Sequence, residues 1–211
     1  MTQKQPTKKL DRRVRRTRQL LADALFALIV EQGYEQVSIQ DITERANLNR
    51  ATFYLHYNSK EELLIAGLES HFDELVARID SLSEELGSDK VTVYEDPRPI
   101  LWVFQYVERY AQLYKVLISE SGTAYIIHLI IDYIANDYEE TYRGLLAEHP
   151  TEGDKPTVSI AMLARANAGS LFALLSWWVM NDMPHTSEVM TEMFYQICRP
   201  TLSLLGLPDS A

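Results

Sequence analysis

A single cysteine, Cys198, among 211 residues excludes an internal disulfide. The amino terminus, MTQKQPTKKLDRRVRRTRQ, has no uninterrupted apolar stretch of the kind a secretory signal needs, so a cytoplasmic location is expected. The longest run nearly free of charge, Ala166 to Met180, contains Asn167, Ser170 and Ser176. It is shorter than the roughly 20 residues that cross a bilayer, and no membrane partner is expected. There is no sustained alternation of apolar and polar residues, no internal repeat and no glycine-rich phosphate loop. No Ser-His-Asp set is recognisable, and Cys198 has no histidine at ligand spacing. His128 and Asp132 stand four apart, but two ligands without a third do not make a metal site. Neither catalysis, a metal nor a cofactor is implied.

What is present is helical periodicity and an uneven distribution of charge. The chain carries a net charge of -10, yet residues 1–60 hold 11 basic and 6 acidic side chains, a balance of +5. The remainder therefore sits at -15. A small basic module that attracts phosphate, joined to a larger acidic one that repels it, fits this asymmetry.

From Leu10 to Glu31, Val14, Leu21, Leu25, Leu28 and Ile29 recur at helical spacing. Arg12, Arg13, Arg15, Arg16 and Arg18 crowd the start of that helix as a charged stripe, solvated and able to act on phosphate at long range. Gly33 ends it in the manner of a left-handed cap. Ser38 then caps a short second helix, with Asp41 as capping-box partner. In the turn ANLN, Asn47 tolerates the left-handed conformation, Leu48 plugs the angle between helices and Asn49 caps a third helix. Phe53 points inward there, and Leu55 fits a core equally well. Arg50, Thr52, Tyr54 and His56 are left for the outer face, followed by Tyr57 and Lys60 at the helix exit. Ser59 and Glu62 form a second capping box, opening a fourth helix that runs about five turns through Ile79. Further helices are expected over Ile100–Ser119, Ala124–Glu148, Thr157–Asn181 and Thr186–Leu205, separated by Pro150, Pro156 and Pro184.

The stretch GYEQVSIQDITERANLNRATFYLHYNSKEELL resembles the DNA-binding domain of TetR-family transcriptional regulators over roughly residues 12–68. Asn47 stands where that family commonly has glycine and Tyr57 where it commonly has phenylalanine. The resemblance implies an all-α protein: a flexible tail at 1–9, a three-helix helix-turn-helix domain at 10–59, and a ligand-binding and dimerisation bundle at 60–211 reached through the long fourth helix. It implies that Ser38, Asn49, Arg50, Thr52, Tyr54, His56, Tyr57 and Lys60 serve double-stranded DNA. Tyr54 and Tyr57 would lie near the backbone, Lys60 on a phosphate, and Arg50, Thr52 and His56 in the major groove. It also implies a homodimer on a palindromic operator; the expected function is a repressor released by a small-molecule effector, with an activator, a regulator without an effector and a helical ligand-binding protein that does not bind DNA as the alternatives.

The segment SLFALLSWWVMNDMPHTSEVMTEMFYQI resembles the last two helices of a subgroup of these regulators. From it a dimer interface of Leu171, Leu174, Trp178, Phe194, Ile197 and Leu204 is expected, with Asn167, Ala168, Gly169 and Ser170 allowing close approach. An effector pocket would draw on Trp102, Tyr106, Tyr110, Tyr114, Tyr125, His128, Tyr133 and Trp177, whose aromatic faces suit an apolar or cationic molecule.

Overall fold

The structure, a computed structural model, describes residues 8–86, 96–119, 124–148 and 158–206. Helix is the only regular structure among them: α1 Lys8–Gln32, α2 Ile39–Arg45, α3 Arg50–Tyr54, α4 Lys60–Leu86, α5 Arg98–Arg109, α6 Ala111–Ser119, α7 Ala124–Glu148, α8 Ile160–Met180 and α9 Ser187–Cys198. The chain divides into two compact units, Met1–Glu74 and Leu75–Ala211, so the dividing point falls inside α4.

In the first unit the apolar stripe of α1 supplies Leu21, Leu25 and Ile29, which join Ile42 of α2, Phe53 of α3, and Leu63 and Leu64 of α4, all without solvent exposure. The caps read from the sequence set these helices. Ser38 and Asp41 make both bonds of their capping box, and the Asn49 side chain accepts the Thr52 backbone N–H at 2.7 Å. Gly33 closes α1 at φ 82° and Asn47 turns the chain between α2 and α3 at φ 53°, each in the left-handed region. At the start of α4, the Ser59 hydroxyl accepts the Glu62 N–H, while the Glu62 carboxylate takes the N–H of Asn58, one residue before the one expected. Arg45 closes α2 against α1 with a two-pronged ion pair to Glu31. Gly67 of α4 faces α1 so closely that a Cβ there would stand 2.8 Å from the Phe26 ring.

The second unit packs α5 to α9 around Phe104, Tyr142, Ala164, Ala168, Trp178, Met190, Phe194 and Cys198, all fully buried. Its most extensive contact is between α7 and α8. The helix expected over Ile100–Ser119 is instead two. The chain leaves helical geometry at Tyr110, at φ -109° and ψ 25°, giving α5 and α6. Likewise α9 stops at Cys198 and tightens into a 3-10 helix over Arg199–Leu205, because Pro200 removes a backbone donor there. The turn between α8 and α9 holds Asp182 and Met183 in left-handed geometry. The Met183 N–H on Trp178 O, the Trp178 indole on His185 O and a Lys115–Asp182 ion pair fasten it.

Expectations for the last two helices need correction. Leu171, Trp178 and Phe194 lie inside the protomer's own core, so they are not exposed for a partner. Asn167 is buried too: its amide donates to the Tyr142 hydroxyl at 2.5 Å and to Thr201 Oγ1 at 3.0 Å, joining α7, α8 and the 3-10 helix. The apolar side chains left outward are others. Val189, Met193 and Ile197 form a stripe at four-residue spacing along α9, and Met162, Trp177 and Met180 stand out on α8. Leu174 is half-buried, and Leu204 is exposed. By length and composition α8 reaches what a membrane crossing requires, but its inward side carries the buried Asn167 network and the core of this unit.

Candidate nucleic-acid interface

Helix α3 has five residues, too few to be stable alone, and it is held by what surrounds it. Phe53 and Tyr57, four apart, both turn inward, at 0% and 5% exposure. Their rings lie 6.0 Å apart. This fixes the helix's rotation, so the opposite side faces solvent: Arg50, Ala51, Tyr54 and Leu55 are exposed, and Thr52 and His56 half-exposed. Arg50 lies over the Tyr54 ring, its guanidinium 5.9 Å from the centroid and 3.4 Å from the hydroxyl. The outer face thus offers a fork of donors, two hydroxyls, an imidazole and an apolar end, the chemistry that distinguishes base edges in a major groove.

Leu55, at 80% exposure, belongs to that face and not to the core. Its position half a turn from Phe53 and Tyr57 was available in the spacing alone. Beside Ala51 it supplies apolar surface suited to a thymine methyl.

Four expected DNA contacts carry structural tasks. The Ser38 hydroxyl donates its proton to Asp41 at 2.6 Å and accepts the Asp41 N–H, so it has no proton left for a phosphate. The Asn49 carbonyl oxygen is occupied by Thr52. Tyr57 is a core ring with Arg18 of α1 above it, 5.8 Å from its centroid. Lys60 donates to the carbonyl oxygens of Tyr34 and Val37. Arg12, Arg13, Arg15, Arg16 and Arg18 are all exposed, and Arg15 and Arg18 border a groove of about 370 Å³ between α1 and α4, floored by Ala22, Tyr57 and Gly67.

His56 has its imidazole held below the ordinary histidine value, first by partial burial and then by the Arg18 charge. In the free protein the neutral ring is favoured. Its contribution to stability is therefore complete above the ordinary histidine range and is lost as pH falls below it. A nearby phosphate reverses the preference, since it stabilises the imidazolium. Operator affinity should accordingly rise as pH drops from about 7.5 to about 5.5, and His56→Gln should flatten that rise in titrations by fluorescence anisotropy. Identical pH profiles for the two proteins would remove His56 from the contact surface.

In the second unit the expected pocket residues only partly converge. Tyr106 lies 4.8 Å from Tyr110 and 6.5 Å from Tyr114, ring to ring. Tyr114 is a core residue whose phenol is raised by burial. Trp102 is half-buried beneath the Arg78 guanidinium at 4.0 Å. His128 is exposed on α7, and Trp177 is exposed and stacked on His185. The Tyr125 side chain lies outside the described residues. Among the described residues no group of three or more His, Cys, Asp or Glu is placed to hold a metal ion.

A basic helix-turn-helix unit followed by a helical bundle is an architecture of DNA-binding regulators. Residues 21–66 match the family described as bacterial regulatory proteins, tetR family, and residues 98–200 match a transcriptional regulator C-terminal region. The chain belongs to the TetR family. It is 41% identical over 75 residues to the uncharacterized HTH-type transcriptional regulator YxbF of Bacillus subtilis, a match that spans 35% of this chain and only 20% of that protein. With the fatty acid metabolism regulator protein of Bacillus subtilis it shares 22% identity over 177 residues, covering 78% of this chain and 84% of that one. A crystal structure of a TetR-family regulator from Syntrophomonas wolfei superposes with a TM-score of 0.72 at 19% identity, over 90% of this chain and 96% of that one.

Proposed function

We propose that this chain is a cytoplasmic, homodimeric transcriptional repressor. Each subunit binds half of a palindromic operator through residues 38–60, and a small molecule in the carboxy-terminal bundle releases the complex. The observation that carries the reading is the outer face of α3, where Arg50, Thr52, Tyr54 and His56 stand together on a helix whose rotation Phe53 and Tyr57 fix. This face lies in the positively charged portion of an otherwise acidic chain.

Half-sites about one turn of duplex apart, or somewhat more, match two such helices related by a two-fold axis. Release requires an effector with higher affinity for a state in which the spacing of the two α3 helices no longer fits the operator. A ligand of equal affinity for both states shifts nothing. A structure of the Bacillus subtilis FadR, similar in fold to this chain, is a complex with stearoyl-CoA, which supports a small-molecule effector here. The Tyr106, Tyr110 and Tyr114 cluster is the part of the expected pocket that supports such a site best.

An activator is the second reading, favoured by 37% identity over 60 residues to the dhaKLM operon transcriptional activator DhaS of Lactococcus lactis. Operator position separates the two: overlap with the promoter fits repression, and an upstream site fits activation.

The test is a mobility shift with DNA flanking the protein's own gene. A complex that weakens steeply with salt is expected. Arg50→Ala and His56→Ala should each cost about 1–3 kcal/mol of operator binding where they touch bases. Failure of the protein to bind any of these fragments in dilute salt would sink the proposal.

A further inference from the structure

Lys60 is the first residue of α4, and its ammonium group is turned into the protein. It donates to Tyr34 O at 2.8 Å and to Val37 O at 2.9 Å, and lies 4.2 Å from the centroid of the Tyr34 ring. All of these acceptors belong to the segment between α1 and α2, more than 20 residues earlier in the chain. Tyr34 and Val37 are 4% and 3% exposed. Val37 is followed directly by Ser38, the N-cap of α2.

The next residue of α4 engages the same side chain. The Tyr34 phenol is raised by burial and then by the Glu61 charge, and Glu61 is held below the usual carboxylate range by its own backbone N–H first, with Ser59, Tyr34 and Lys60 adding to it. Lys60 thus holds Tyr34 by direct contact, and the neighbouring Glu61 acts on the same phenol through its charge.

An ammonium has three donors and no more. Here two are taken by carbonyl oxygens and the Tyr34 ring covers a further side. Swinging the ammonium outward to a phosphate would break one or both of these bonds beside buried residues, which carries a desolvation penalty.

We infer that Lys60 is a positioning residue for DNA binding: it pins the start of α4 to the α1–α2 connection, and so to the cap of α2, rather than spending its charge on a phosphate. This rests on the DNA-binding reading above. Any displacement of the start of α4 is then passed through Tyr34 and Val37 to the helix that supports α3.

Operator affinity measured across a salt series separates this role from phosphate contact. Wild type, Lys60→Met, Lys60→Arg, Tyr34→Leu and the Lys60→Met/Tyr34→Leu double variant are compared well below the unfolding temperature that circular dichroism gives for each. With a positioning role, Lys60→Met loses about ten-fold in affinity at every salt concentration, within the coupling range of touching residues, and keeps the wild-type slope of log affinity against log salt. Tyr34→Leu, which alters a buried uncharged residue, lowers affinity as well, and the double variant falls little further. Lys60→Arg keeps the charge but not the fit of a compact ammonium between two carbonyls, and it also loses affinity.

A phosphate role predicts the reverse. The slope drops by about one on Lys60→Met, while Lys60→Arg and Tyr34→Leu bind as wild type does. That result overturns the inference, and so does unchanged affinity in every variant. If Lys60→Met does not fold, Lys60→Arg and Tyr34→Leu decide between the roles on their own. Absence of any complex with the wild type refutes the DNA-binding reading itself, which a slope change in a protein that binds does not.

Discussion

Trp178→Ala should destabilise the carboxy-terminal unit by about 3–5 kcal/mol, the cost of emptying a site filled by a fully buried aromatic side chain. The ring has no solvent exposure and meets Phe104 edge to face, with centroids 5.5 Å apart. Its indole N–H donates to His185 O at 2.9 Å, so truncation also removes a bond that fastens the α8–α9 turn. Urea unfolding followed by circular dichroism measures this. Because Trp178 serves its own protomer, the loss should be the same at low and high protein concentration. A deficit that disappeared at high concentration would mean that the ring acts across an interface, since only association makes stability depend on concentration.

Ile197→Glu should yield a monomer with unchanged helicity. Val189, Met193 and Ile197 give α9 an outward apolar stripe, with Ile197 at 51% exposure in the single chain. If this stripe is the dimer seam, a carboxylate at its end would lose its water with no partner to compensate. Operator affinity should fall by about 10²–10⁴-fold, because the second half-site is no longer brought in by the first. Light scattering gives the mass and anisotropy gives the affinity. A variant that remained dimeric would place the seam elsewhere, with Trp177 and Met180 on α8 the next residues to test.

The reading unit was legible in the sequence because its signals are local. Ser38 with Asp41, Asn49 with Thr52, Gly33 and Asn47 each act within a few residues, and each stands where the spacing predicted. The rotation of α3 was partly legible: Phe53 was read inward, but Tyr57, one turn on, was left outside and Leu55 undecided. Applying the four-residue repeat to the aromatic residues places all three. The task of Lys60 was not legible, since its partners lie in a different connection and no local pattern marks a carbonyl as an acceptor.

The bundle was less legible for another reason. Helix α8 carries apolar residues on nearly every side, so composition gives no polar face from which to set its rotation. Trp177 and Trp178 are adjacent and chemically identical, yet one is exposed and the other buried. The break at Tyr110 was equally hidden, as neither glycine nor proline marks it.

A rod that is greasy all round can slip lengthwise against its neighbours by a full turn, about 5.4 Å, with little change in the apolar area covered. The amide of Asn167 forbids that slip. Its bonds to Tyr142 and Thr201 close at one axial register, and a shift of a full turn would break both in a buried place. The vertical alignment of the last helices, and with it the height at which any second subunit would meet them, is therefore marked by this carboxamide together with the Arg165–Asp132 ion pair that also joins α8 to α7.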